Sequence, residues 1–270
     1  MKKNRLTGGV LPFLLSAVLV LLAGCADSSV PADDSLQKVL DKKEFVLGLD
    51  ANYPPMGFTD ESGELVGFDL DVAQEVCNRL GVSLVKHPID WEEKENELNS
   101  GTIDCIWNGL SVSAERAEAM NLSEPYMRNE LIFIVPASSS AKSVSDLAGR
   151  SVGVQSGTTA QEALEGSPLC AEIAMVEFAD NLQMLNELTQ GRLDAGLIDS
   201  VAAYYYIARS EEQFFVLPDS FGEESLAIGF RKDDHALRDR VQEIVSEMKA
   251  DGTLGAISVK WFGNDITIVK

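Results

Sequence analysis

A grip for a carboxylate and a grip for an amine are the chemistry that this sequence offers. The run Asn108-Gly109-Leu110-Ser111-Val112-Ser113-Ala114-Glu115-Arg116 reads as a strand end, a loop through Gly and Ser, and a helix capped by Ser113. That places Arg116 in the first helical turn. Free backbone N–H groups at a helix start attract an anion. A guanidinium beside them grips a carboxylate through two parallel hydrogen bonds. A carboxylate held this way needs a counterpart for its ammonium. Asp199 follows the strand-like Ala195 to Ile198, the equivalent place in the second half. Arg116 and Asp199 facing across a cleft describe a site for an α-amino acid. The competing reading leaves Arg116 paired with Glu115, Glu118 or Glu124 on the surface, which is worth little, and Asp199 as a helix cap alone.

Such groups need ordered elements to hold them. Strand-like and helix-like segments alternate along the chain. Phe45 to Leu49 reads as a strand. Asp69 to Leu80 carries Leu70, Ala73, Val76, Cys77 and Leu80 at helical spacing and stops at Gly81. Val82 to Val85 is a strand. Asp90 with Glu93 predicts a capping box for a helix ending at Gly101, and Ile103 to Trp107 is a buried-type strand. The second half repeats the style. Strands are predicted over Ser151 to Val154, Ala195 to Ile198 and Leu226 to Phe230. Helices open at Gly157-Thr158-Thr159, at Ala179 or Asp180 with Leu182, Leu185 and Leu188 on one face, after Asp199 or Ser200, and at Asp234. The last carries Leu237, Val241, Ile244, Val245 and Met248 on one face. This alternation predicts an α/β fold with parallel sheets covered by helices. In such sheets ligands sit beyond the carboxyl ends of the strands. The residues there are Asp50 to Tyr53, Trp91, Asn108 to Ser113, Gln155 to Thr159 and Asp199, a polar and aromatic set with no catalytic constellation.

The first residues bear on compartment. Lys2, Lys3 and Arg5 precede an apolar run from Val10 to Ala23. About 14 residues are too few to span a bilayer, which takes about 20; basic start and short run make a secretory signal over 1–24. Its exit, Leu22-Ala23-Gly24-Cys25, resembles the bacterial lipobox, whose cysteine is diacylated. Residues 25–40 then form a flexible tether, small, polar and acidic at their start. Removal of three basic residues takes the charge of −21 to −21 − 3 = −24. That balance argues against nucleic-acid partners, whose binders are basic, and against binding anionic lipid by charge. Beyond Cys25, Cys77, Cys105 and Cys170 have no CxxC spacing, and with only His87 and His235 no zinc site is expected. Either one disulfide forms, Cys77 to Cys105 being a candidate, or all three act as small buried hydrophobes.

Several motifs recur in one order: Gly48-Leu49-Asp50-Ala51-Asn52-Tyr53-Pro54-Pro55, Gly67-Phe68-Asp69-Leu70-Asp71, Ile103 to Gly109 leading into Ser111 to Arg116, Leu122-Ser123-Glu124-Pro125-Tyr126, Val152 to Thr159, Gly191 to Ala195 with Asp199 after it, Asp251-Gly252-Thr253-Leu254 and Lys260-Trp261-Phe262-Gly263. Together they resemble the family 3 solute-binding proteins, the amino-acid-binding subunits of ABC importers, over roughly Phe45 to Gly263. The resemblance implies a two-lobed periplasmic-binding-protein type II fold with the ligand between the lobes. Lobe 1 would be discontinuous (41–135 and 229–270) and lobe 2 would span 136–228, joined by crossovers at Leu131 to Ala137 and Leu226 to Lys232. It implies that Arg116 and the Ser111 backbone hold the ligand carboxylate with help from Thr159. Asp199 and the Gly109 carbonyl would take the ammonium, Tyr53 would cover the ligand, and Asp50, Trp91 and Asn108 would line the side-chain pocket. Met56 and Gly57 stand where the family usually has an aromatic residue after the paired prolines. Trp107, mid-strand, reads as core.

The function so implied is capture of an amino acid by hinge closure and delivery to a membrane permease and its ATPase, by a monomer held at the membrane through lipid on Cys25. No cofactor or catalytic residue is implied, and no Walker loop for a nucleotide is present. Asp50 is the one acidic group placed in the pocket, while Trp91 and Asn108 suit a polar neutral side chain such as glutamine or cystine. The rival readings are a ligand sensor for a signalling partner, a dehydratase-like enzyme with Asp50 as its spare carboxylate, and a structural lipoprotein.

Overall fold

The computed structural model describes residues 33–209 and 214–270. The signal segment 1–24, Cys25 and the first part of the expected tether lie outside them. The rest of that tether is not loose. Ser35–Lys42 is a helix, α1, because Val39 is buried and the Ser35 hydroxyl accepts from the backbone N–H of Leu237 at 3.1 Å.

The first half runs β1 (Glu44–Leu49), β2 (Asn52–Tyr53), β3 (Gly57–Thr59), β4 (Leu65–Val66), α2 (Phe68–Leu80), β5 (Ser83–Pro88), α3 (Lys94–Ser100), β6 (Cys105–Ser111), α4 (Ala114–Ala119), β7 (Asn121–Leu122) and β8 (Met127–Pro136). The second half runs β9 (Ser151–Gln155), α5 (Thr159–Glu165), β10 (Ala174–Phe178), α6 (Asn181–Thr189), β11 (Ala195–Asp199), α7 (Ser200–Ile207), β12 (Phe214–Phe230), α8 (His235–Ala250) and α9 (Thr253–Phe262).

Two parallel sets, β5–β1–β6 and β10–β9–β11, flank the antiparallel pair β8 and β12 in the order β10-β9-β11-β8-β12-β6-β1-β5. Each set with its helices is one lobe, and β8 and β12 are shared between them. The expected boundaries at 135/136 and 228/229 fall inside these two strands. Along β8 the side chains alternate: Ile132 and Ile134 enter the core shared with α6 and α7, while Leu131, Phe133 and Val135 pack on the other face against α5. That alternation buries both faces of lobe 2. On α8, Leu237, Val241, Ile244, Val245 and Met248 are all buried, as their spacing predicts. On α6, Leu182 is exposed and Met184 joins Leu185 and Leu188 inside, because the buried stripe runs one residue round from the expected one.

Two differences bear on the cleft. β6 continues through Asn108 to Ser111, where the sequence predicts a loop. Its pairing with β12 slips between Ala227 and Gly229, a bulge that re-aims the strand end. Second, Trp91–Glu93 is a 3-10 turn before α3. Asp90 caps it through Glu92 N–H at 3.1 Å, not through a box with Glu93. Cys77 and Cys105 are buried free thiols, packed in the core as small hydrophobes.

Candidate ligand-binding cleft

The bulge in β6 sets the geometry of the cleft. Asn108 Oδ1 accepts from the Asp50 backbone N–H at 3.0 Å, tying the middle of β6 to the residue after β1. Gly109 has φ +61°, a left-handed conformation that costs glycine little. A Cβ there would lie 2.7 Å from Tyr53 Cε1, so glycine also makes room for the ring. Gly109 N–H donates to Asp69 Oδ2 at 2.7 Å, and Tyr126 O–H reaches the same oxygen at 2.9 Å. Asp69 is fully buried, and burial pushes its carboxyl up to about 7.

Ser113 Oγ accepts from Arg116 N–H at 3.2 Å and starts α4. The Arg116 side chain does not pair with Glu115, Glu118 or Glu124; Glu162 stands 4.0 Å from it. Arg116 is buried, and two of its five N–H groups go to the carbonyls of Ser111 (2.9 Å) and Gly157 (3.1 Å). Burial lowers the guanidinium below its usual range. Asp199 sits at the N-cap of α7 but makes no side-chain cap. Its Oδ2 accepts from Tyr53 O–H at 2.7 Å across the cleft, and its Oδ1 from Asn129. Burial first, and Glu224 second, push the Asp199 carboxyl up to about 7.

The lobes meet along a seam. Besides Tyr53 with Asp199, Lys94 Nζ donates to the Gly157 carbonyl at 2.8 Å. Gln155 Nε2 donates to Asp50 Oδ2 at 2.7 Å, and Tyr206 O–H donates to the Asn52 carbonyl at 3.3 Å. The Phe58 and Tyr205 rings stand 5.7 Å apart. Gly157, at φ +70°, lies so close to Glu92 that a Cβ would come within 3.0 Å of its Cα. Inside the seam is a space lined by Asp50, Tyr53, Trp91, Asn108, Gly109 and Ser111, with Arg116, Gln155, Thr158, Thr159 and Asp199 completing the wall. Among the described residues no group of three or more His, Cys, Asp and Glu could hold a metal ion.

Residues 45–264 match the family model of the bacterial extracellular solute-binding proteins, family 3. The chain belongs to that family. It is 31% identical over 251 residues to the L-cystine-binding protein TcyJ of Escherichia coli (strain K12), covering 92% of this chain and 94% of that one. It is 30% identical over 251 residues to the arginine-binding extracellular protein ArtP of Bacillus subtilis (strain 168), covering 91% and 97%. Among solved structures, an ABC uptake transporter substrate-binding protein from Streptococcus pneumoniae with bound histidine superposes with a TM-score of 0.84 at 34% identity, covering 87% of this chain and 98% of that one. These relatives are binding proteins for amino acids, and the family works outside the cytoplasm.

In this solute-binding protein all nine residues that the sequence points to, from Asp50 to Asp199, line one space. Gln155 and Thr158 line it too. Gln155 ends β9 and Thr158 caps α5 just after it, but nothing in their spacing marks them. Trp107 is core. Glu224 and Asn129, which stand behind Asp199, escape the sequence because β12 begins at Phe214 and not at Leu226, so Glu224 reads as loop. Tyr205 and Tyr206 take places on the seam through contacts that only the folded lobes create.

Proposed function

We propose that this chain is the substrate-capturing subunit of an amino-acid ABC importer and that its substrate is a free, polar, uncharged amino acid. The reading rests on one observation: Arg116 and Asp199, a guanidinium and a carboxyl on opposite lobes, line the same space as Asp50. A zwitterion satisfies the first two. Asp50 decides the side chain. Its Oδ1 already accepts from Asn52 N–H at 2.8 Å and its Oδ2 from Gln155 at 2.7 Å. Burial also raises its carboxyl above the usual range, which favours the neutral form. A carboxyl so partnered does not require a cation and still has lone pairs for a hydrogen-bond donor. Trp91, buried beside it, offers an apolar wall. The similarity to a cystine-binding relative supports a neutral substrate; the arginine-binding relative marks the competing outcome.

Arg116, Ser111 and Thr159 hold the carboxylate; Asp199 and the Gly109 carbonyl hold the ammonium, under Tyr53. Closing the lobes excludes water and strengthens each charged contact. The closed monomer then meets a permease with its ATPase, and a lipid on Cys25 keeps it nearby, raising its effective concentration.

A thermal-shift panel tests substrate class. L-Glutamine, L-asparagine or L-cystine at about a hundredfold its Kd stabilises the protein by about 2.7 kcal/mol, a shift of several degrees. A larger shift with L-arginine or L-lysine than with every neutral amino acid overturns the assignment.

A further inference from the structure

Behind the cleft wall stands a second carboxylate, set there by strand register. Asn129 on β8 faces Glu224 on β12, and Asp199 at the end of β11 pairs with Leu131 of β8. Asn129 is buried, and its amide oxygen accepts from the Ser200 hydroxyl at 3.1 Å. That orients its amide nitrogen between the two acids: it donates to Asp199 Oδ1 and, at 3.0 Å, to Glu224 Oε2. Ser111 Oγ donates to the same Glu224 oxygen at 2.7 Å. One neutral amide thus bridges two carboxylates, and Ser111 links that bridge to the carboxylate end of the cleft.

The surroundings do not balance two negative charges. Facing Asp199 are the Tyr53 hydroxyl from β2, Arg116 from α4 and Glu224 from β12. Glu224 also faces Glu162 of α5, and it borders a groove on the shared strands with Arg128, Glu130 and Glu223. Arg116 is the cation directed into the cleft, and in the reading above its charge is answered by the ligand carboxylate. A carboxylate so placed disfavours the ionisation of Asp199 unless a cation joins the two.

We propose that Glu224 is a positioning residue for the amine end of the cleft: through the shared Asn129 amide it sets a second carboxylate beside Asp199, so that Asp199 keeps a proton until the ligand ammonium takes that proton's place. The proton leaves to solvent and no bond to the ligand forms or breaks. The inference rests on the reading that the ammonium docks on Asp199. It deepens that reading, since Asp199 becomes a group that exchanges one cation for another. Asn129, Asp199 and Glu224 sit on β8, β11 and β12 or their ends, and Tyr53 and Ser111 reach the two acids from lobe 1.

The sign follows from the Asp199 carboxyl standing near 7. Below that value the ligand-free protein holds a proton that the complex must give up. Affinity therefore rises with pH up to about 7 and levels above it. Glu224→Gln keeps the shape and removes one charge, so the rise moves to lower pH and shrinks.

Calorimetry at about pH 6.5, in three buffers of different ionisation heat, tests this on the whole protein. The probes are L-glutamine, L-cystine and L-arginine, whose side chains do not titrate there. Wild type should release roughly 0.7 proton per ligand, and its affinity should rise at least about tenfold between pH 5.5 and 8. Glu224→Gln should release less than half as much, with a rise of about threefold or less. Glu224→Ala serves if that variant does not fold. A purely structural role would weaken binding equally at every pH. Binding without proton release, or equal release by wild type and Glu224→Gln, overturns the proposal and leaves the amino-acid reading standing. If none of the probes binds wild type, that reading fails and the proposal falls with it.

Discussion

Arg116→Met should weaken amino-acid binding by at least about a hundredfold while leaving the ligand-free protein as stable as wild type, or more so. Arg116 is buried, and burial lowers its guanidinium; the ion already costs desolvation free energy. Its protein partners are two carbonyls, with Glu162 no nearer than 4.0 Å. Replacing such an ion by an apolar side chain of similar length is often neutral or stabilising. Removing the partner of a buried ligand carboxylate costs about 2–5 kcal/mol or more. Arg116→Lys keeps the charge without the fork and should fall between the two. Calorimetry and thermal melts of the same samples separate the effects. A Kd within about threefold of wild type would show that the carboxylate is held elsewhere.

Asp69→Ala should cost about 3 kcal/mol of stability, a fall in Tm of roughly 6–12 °C for a chain of this size. The substitution leaves Gly109 N–H and Tyr126 O–H without their shared acceptor. It also frees the bulge that aims Asn108 and Gly109 into the cleft, so binding should weaken as well. Asp69 has a pH signature of its own. Its folded carboxyl stands near 7, above the unfolded value of about 3.9. The folded protein therefore binds the extra proton between these values. Asp69 contributes stability that is fully present below about pH 4 and is lost as pH rises through about 7. Asp199 acts in the same direction. Wild type should thus lose more Tm between pH 5 and 8 than Asp69→Asn does, with part of the slope remaining in the variant. Parallel slopes would mean that Asp69 is ionised throughout.

The parts of the cleft that are local in sequence were legible there. The strand-to-helix run ending at Arg116 has its cap, its glycine and its arginine within nine residues, and Asp199 follows its strand directly. Non-local parts were not. That β6 runs on to Ser111 depends on pairing with β12, more than 110 residues away. The long reach of β12 also hid Glu224, since Pro218 and Gly222 within Phe214–Phe230 read as turn residues, and irregular pairing with β8 between Val216 and Gly222 accommodates them. Helix α1 lies mostly within the stretch that reads as tether, because its anchor is a contact with α8, 202 residues further on. The roles of Gln155 and Lys94 exist only across the seam. Each had polar character in the sequence, but no spacing pattern joins residues on different lobes.

If a zwitterion bridges Arg116 and Asp199, removing one charge of the ligand at a time must weaken binding. The amino acid giving the largest thermal shift would be titrated by calorimetry beside its carboxamide, which lacks the carboxylate, and its α-hydroxy acid, which lacks the ammonium. Each analogue should bind at least about a hundredfold more weakly. Equal binding of the amino acid and both analogues would contradict it.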